Sequence, residues 1–304
     1  MPHRRNFTAT TTRGRTPSPR LLLLLLGPAV TLIALLFGGG LLLGLLQALG
    51  HVPSQSFELL TLKHFIAVLT DPDFCKSLLL TFYIAFTSTT IAAFFSLGLA
   101  LLLHHYGAED PLLHFFLQIP LTVPHLAVGI SLLMLLAPAG LFSRLFIFLG
   151  IIESSSSFPL LVNDPFALTI LLVYIWKEIP FITFMLITVL KNSGPELAEA
   201  GATLGADKWQ RFKHITLPTL APSLGGGCLV VFAFTFGAFE IPYLLGQTYP
   251  LTLPVWAYKN YSDIDLFARP EGIAIGLIIA GIVALSILCS QLLLAEGKKR
   301  EAYR

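Results

Sequence analysis

Six long stretches of this chain are almost free of charge, and they leave few folds open. Residues 21–50, 77–103, 112–136, 166–190, 223–245 and 272–295 are built mainly from Leu, Ile, Val, Phe, Ala and Gly; Lys177, Glu178 and Glu240 are the only Lys, Arg, Asp or Glu residues inside them. A helix rises about 1.5 Å per residue, so roughly 20 apolar residues cross ~30 Å of hydrocarbon, and each run is long enough. Backbone polar groups in hydrocarbon must be satisfied within the segment, which selects helices for such runs. The expected fold class is therefore an all-α integral membrane protein with six transmembrane helices. Residues 21–50 are about twice the length of a signal-peptide apolar core and lack a small-residue cleavage site behind them, so they are read as the first span.

The segments between the runs set the orientation. Residues 1–20 carry Arg4, Arg5, Arg13, Arg15 and Arg20 among Thr, Ser and Pro without an apolar face, and read as a disordered basic tail. Residues 296–304 form a second basic tail. With both termini on the cytoplasmic side, the inside segments hold 13 Lys and Arg and the outside segments 5, the bias that cytoplasmic loops show. Residues 104–110 are a tight turn, 51–76, 138–164 and 246–270 are external loops, and Pro120 and Pro124 are expected to bend or break the third span. The domain layout is thus a tail over 1–20, a membrane domain over 21–295 that includes a polar loop at 191–222, and a tail over 296–304.

Composition excludes several functions. Only 12% of residues are charged and the net charge is +2, so a nucleic-acid partner has no basic footprint to bind. Cys75, Cys228 and Cys289 are widely spaced and make neither a disulfide framework nor a CxxC pair. His104, His105, His114 and His125 lack metal-ligand spacing and read as loop or packing histidines. No GxxxxGK[ST] loop is present, so the chain carries no nucleotide engine of its own. Neither a catalytic constellation nor a cofactor site is expected.

The loop KNSGPELAEAGATLGADKWQRFKHITLPTLAP at 191–222 is polar without looking disordered. Ser193 and Glu196 fit a capping box, with Pro195 in the first turn of a short helix that runs to Leu204. Gly205 interrupts that helix, and Asp207 is placed to cap a second one through Phe212. Pro218 and Pro222 interrupt or start the next element. Glu199, Ala200, Gly205, Ala206, Ile215, Leu217 and Pro218 resemble the EAA loop of the permease subunits of type I binding-protein-dependent ABC importers, in which EAA is followed by three residues, G, nine residues, I, one residue and LP. Gly201 replaces the second alanine of that pattern. The resemblance implies a six-helix type I permease fold whose loop docks in a cytoplasmic ATPase. It implies as partners two ATPase subunits that bind ATP and Mg, a second permease subunit of a different chain, an extracytoplasmic solute-binding protein and membrane lipid, and places the chain in the cytoplasmic (inner) membrane.

Lys177, Glu178 and Glu240 are the candidates for the translocation path, because charge inside a bundle is costly unless it meets a partner or water. Lys177 and Glu178 are adjacent on one helix and point about 100° apart. Glu240, beside Gly237 and Pro242, is read either as a contact for a cationic solute or as a partner of Lys177. The stretch GAFEIPYLLG and the nearby RPE resemble permeases of the polyamine, thiamine, ferric iron and phosphonate branch. A polyamine such as spermidine or putrescine is the expected solute, with phosphonate, sulfate, thiamine or ferric iron as alternatives. The polar and aromatic segment 249–271 is read as a dock for the solute-binding protein or as a solvated cap over spans five and six. A channel or ion-coupled carrier is the competing class, and it has no use for an ATPase-docking loop.

Overall fold

The computed structural model describes residues 19–51, 60–106, 111–193 and 196–302. The 1–18 part of the expected basic tail lies outside them. The regular structure among the described residues is all helical, and six of its helical stretches are long and apolar enough to cross a membrane.

The first crossing joins α1 (Pro19–Ile33) to α2 (Gly39–Ala48) through a π-helical turn at Ala34–Gly38. Its side chains face outward, as expected of lipid-facing Leu and Phe, and α2 leans on the last helix, where Gly44 approaches Ile273. Gly38, Gly39 and Gly40 meet nothing within 4 Å of a notional Cβ, so they do not make the close helix contact that a glycine cluster suggests. A short α3 (Lys63–Thr70) then precedes α4 (Pro72–Tyr106), whose 35 residues span roughly 50 Å, more than the ~30 Å of hydrocarbon needs. Helix α4 therefore begins five residues before the expected second span.

The third apolar run is broken at Pro124 and not at Pro120. Helix α5 (Pro111–Thr122) contains Pro120 and ends just before Val123 and Pro124, and α6 (His125–Leu136) restarts the helix. Pro124 supplies no N–H, and its backbone at φ −58° and ψ 142° leaves the helical region. The expected external loop at 138–164 holds a further apolar helix, α7 (Leu141–Phe148), so helical structure after the break continues to Phe148. Asp164, buried, then accepts hydrogen bonds from the backbone amides of Phe166 and Leu168 and caps α8 (Leu168–Asn192).

Helix α8 is the hub. It packs along α4, and Ser96 of α4 donates to the Ile179 carbonyl at 2.8 Å. Beyond it come α9 (Glu196–Thr203) and α10 (Lys208–Arg211), then α11 (Leu217–Gly237), joined to α10 by a π-helical turn at Phe212–Thr216. Pro218 and Pro222 do not break this path. Pro218 sits at the start of α11, and the widened π turn before it removes the i→i−4 bond that its missing N–H would have made. A second break comes at Ala238, whose ψ is 131°, before α12 (Glu240–Leu245). Pro242 explains it, because its ring clashes with the carbonyl four residues earlier, that of Ala238. The expected external loop at 246–270 contains α13 (Leu253–Tyr261), with Leu253, Pro254 and Val255 buried. Helix α13 lies against α14 (Arg269–Ala302), where a Cβ on Gly272 would stand 2.7 Å from the Ala257 carbonyl oxygen. Helix α14 continues through the segment assigned to a C-terminal tail.

Candidate functional site

Two features carry chemistry, and α11 joins them. At one end is the polar loop of α9, α10 and the π turn. Helix α9 closes at Gly205, whose φ of +82° is left-handed; the Ala206 amide donates to the Gly201 carbonyl and the Gly205 amide to the Ala202 carbonyl, both at 3.0 Å. This is a Schellman ending, and it needs a residue without a Cβ penalty at Gly205. Asp207 caps α10 reciprocally: its carboxylate accepts from the Gln210 amide at 2.7 Å, while the Gln210 side chain accepts from the Asp207 amide at 3.0 Å. The Ser193 hydroxyl donates instead to Val189 of α8, and the Glu196 side chain lies outside the described residues.

The corner folds the two halves of the motif together. Gly201 is buried, and a Cβ there would lie 2.9 Å from Cδ1 of Ile215 and 3.3 Å from Cγ of Arg211. The departure from alanine at this position is thus a packing feature: the glycine admits Ile215. Glu199, Ala200 and Pro218 are exposed, and Ala206, Ile215 and Leu217 are half-buried. Leu204, 87% exposed, and Trp209, 67% exposed with its ring tilted against Phe212 at 5.5 Å between centroids, give the corner an apolar tip outside the bundle.

At the other end are the two helix breaks. A cavity of about 370 Å³ lies beside the first, lined by Val123, Pro124, His125, Lys177, Glu178 and Phe234 among others. A second, of about 420 Å³, lies beside the other break and is lined by His125, Tyr174, Phe234, Ala238, Phe239, Glu240 and Ile241. His125 and Phe234, whose ring centroids are 5.0 Å apart, line both cavities. Lys177 and Glu178 are both buried and diverge as adjacent helix positions must. The Lys177 ammonium donates to the Val123 carbonyl, which the break at Pro124 has released from helix pairing. Glu178 turns the other way, and its Oε1 accepts from Thr235 at 2.6 Å and Ser88 at 3.4 Å. Glu240 is exposed at the start of α12 and makes no ion pair with Lys177. Reading the sequence missed Ser88, Thr235 and Tyr174. Hydroxyls scattered through apolar runs were their only signal, and most such hydroxyls serve their own helix. Among the described residues no cluster of three or more His, Cys, Asp or Glu is arranged to hold a metal.

Residues 92–296 match the family described as binding-protein-dependent transport system inner membrane component. The chain belongs to this family. It is the permease subunit of an ABC importer that couples to an ATPase, a multi-pass protein of the inner membrane. The permease is 26% identical over 213 residues to the sulfate transport system permease protein CysT of Escherichia coli K12, covering 70% of this chain and 73% of that one. It is 27% identical over 229 residues to the trehalose/maltose transport system permease protein MalF of Thermococcus litoralis, covering 71% and 74%. Its fold is that of a chain in the crystal structure of a bacterial ABC transporter involved in the import of the acidic polysaccharide alginate, with a TM-score of 0.73, 19% identity, and coverage of 90% and 94%.

Proposed function

We propose that this permease forms half of the pathway for a small oxyanion of the sulfate kind. The observation that carries this reading is the broken third crossing. Helix α6 starts at the break with His125, and the unpaired amides at its N-terminus lie at the cavity that Lys177 also lines. The positive end of a 12-residue helix and an ammonium beside it favour a negative solute, the arrangement that discontinuous helices use in other transporters. Glu178 lines the same cavity, but its Oε1 is taken by Thr235 and Ser88, which leaves Lys177 and the helix end as the groups that can meet an anion. The likeness to CysT, a protein named for sulfate transport, supports the same choice over a polyamine.

In this reading a second permease subunit supplies the other half of the path, two ATPases carry ATP and Mg, a solute-binding protein docks outside, and both termini are cytoplasmic. The motif residues Glu199, Ala200, Gly205, Ala206, Ile215, Leu217 and Pro218 form the coupling element. A cationic solute is the second reading, favoured by the exposed carboxylate of Glu240 in the other cavity. Uptake into proteoliposomes that hold the full complex, with ATP inside and the solute-binding protein outside, separates the two. ATP-dependent accumulation of labelled sulfate without spermidine is the expected result. Accumulation of spermidine without sulfate would overturn the oxyanion reading and favour Glu240 as the contact.

A further inference from the structure

Several threonines inside these helices bond back to their own helix, and Thr235 does not. Thr81, Thr90, Thr183, Thr188 and Thr219 each donate to the carbonyl four residues earlier on their own helix, at 2.7 to 2.8 Å. That local bond is always within reach of a helical threonine. Thr235, buried in the last turn of α11, forgoes it and donates across to Glu178 Oε1 of α8 at 2.6 Å. The Ser88 hydroxyl of α4 reaches the same oxygen at 3.4 Å while also pointing at the Ala85 carbonyl at 3.3 Å, so it is the weaker arm. The other oxygen of Glu178 is buried without a hydrogen-bond partner among the described residues.

The position of Thr235 gives this bond a mechanical meaning. Helical backbone runs from Lys208 to Gly237 without interruption, so the motif corner and Thr235 are the two ends of one rod. The Thr235 carbonyl accepts from the Ala238 amide at 3.2 Å, the last bond before the chain breaks toward Glu240. Motion delivered at the coupling loop therefore travels along an apolar α8–α11 seam, where Leu220, Gly227 and Val231 meet Ile182 and its neighbours, and reaches the break past the Thr235–Glu178 hydrogen bond.

We propose that Glu178 and Thr235 form a latch that ties the pathway end of α11 to α8, holds the rod in place, and must yield when the coupling loop moves. Glu178 is then a positioning residue rather than a solute contact, and its unoccupied oxygen is a second acceptor to which the hydroxyl can re-pair as α11 shifts. The proposal rests on the ATPase-coupled reading of the chain and is independent of which solute is carried.

The test is ATP hydrolysis by the purified complete complex, with no solute and no solute-binding protein, and then with both. Thr235→Val keeps the shape and removes the hydroxyl; Thr235→Ser keeps the hydroxyl. Hydrogen bonds between membrane helices shift equilibria modestly, so Thr235→Val is expected to raise basal hydrolysis roughly three- to tenfold and to shrink the stimulation by the solute-binding protein, with Thr235→Ser close to wild type. Glu178→Gln, which retains a carbonyl acceptor, should fall between them. A merely structural role would lower complex yield and leave the ratio of stimulated to basal hydrolysis unchanged. Equal basal rates in Thr235→Val and wild type, or the same rise in Thr235→Ser, would overturn the latch. Failure of the wild-type complex to hydrolyse ATP would instead refute the coupling reading beneath it.

Discussion

Gly205 is the residue on which the coupling corner turns. Its left-handed φ disfavours any side chain with a Cβ by about 1 to 2 kcal/mol, and a β-branched one most of all. The space around it is open, so the penalty is conformational and not steric crowding. Gly205→Val should insert at wild-type abundance but lose uptake roughly tenfold, following that penalty. Gly205→Asn, which tolerates the left-handed region, should keep most of it. Equal uptake by the Val variant at equal abundance would contradict this account of the corner. Glu240 is the residue that separates the two solute readings. As an exposed carboxylate with no ion pair to a described residue, it should contribute little to an oxyanion's passage, so Glu240→Gln should leave sulfate uptake within roughly twofold of wild type. A large fall in spermidine uptake, measured in the same vesicles, would support the cationic reading.

The elements differ in how openly the sequence declared them. That six crossings exist was legible because a run without charge has one stable backbone solution in lipid, although the third lies at His125–Phe148 and not at 112–136; the Gly205 and Asp207 corner was legible because glycine and cap residues act locally. Helices α7 and α13 were not legible: short apolar helices between spans look like loops until their packing is known, as the close approach of Gly272 to α13 shows. The prolines were read correctly at Pro124, which breaks a helix, and at Pro218, which starts one, whereas Pro222 lies inside α11 without breaking it, and the π turn before Pro218 had no local signal. Within the candidate site, Lys177, Glu178 and Glu240 stood out as charges, but their partners did not, because the Val123 carbonyl and the Thr235 hydroxyl become available only when particular helices break or meet. Pro124→Ala tests the first break. Restoring an N–H there should let the helix close over the Val123 carbonyl, take the acceptor from Lys177 and reduce ATP-driven uptake, while membrane abundance holds or rises. Uptake equal to wild type would show that the break is not needed for the path.

At the scale of the molecule, one chain provides one wall of a path and one coupling corner. The long first crossing leans on the bundle mainly through α2 and α14, and both cavities lie beside breaks in helices rather than inside a closed pore. The mass of the intact detergent-solubilised complex is therefore expected to correspond to two permease subunits and two ATPases. A transport-competent particle with a single permease would contradict that assembly. The central claim is that the corner formed by α9 and α10 is seated in the ATPase, and the exposed Leu204 and Trp209 mark its tip. The most direct measurement places a photoreactive side chain at Leu204 within the co-expressed complex, illuminates it with and without ATP, and weighs the products. The account predicts a crosslink to the ATPase subunit whose yield changes with ATP and falls in the Gly205→Val background. An intact, active complex in which Leu204 crosslinks only to lipid or to the permease itself would contradict it.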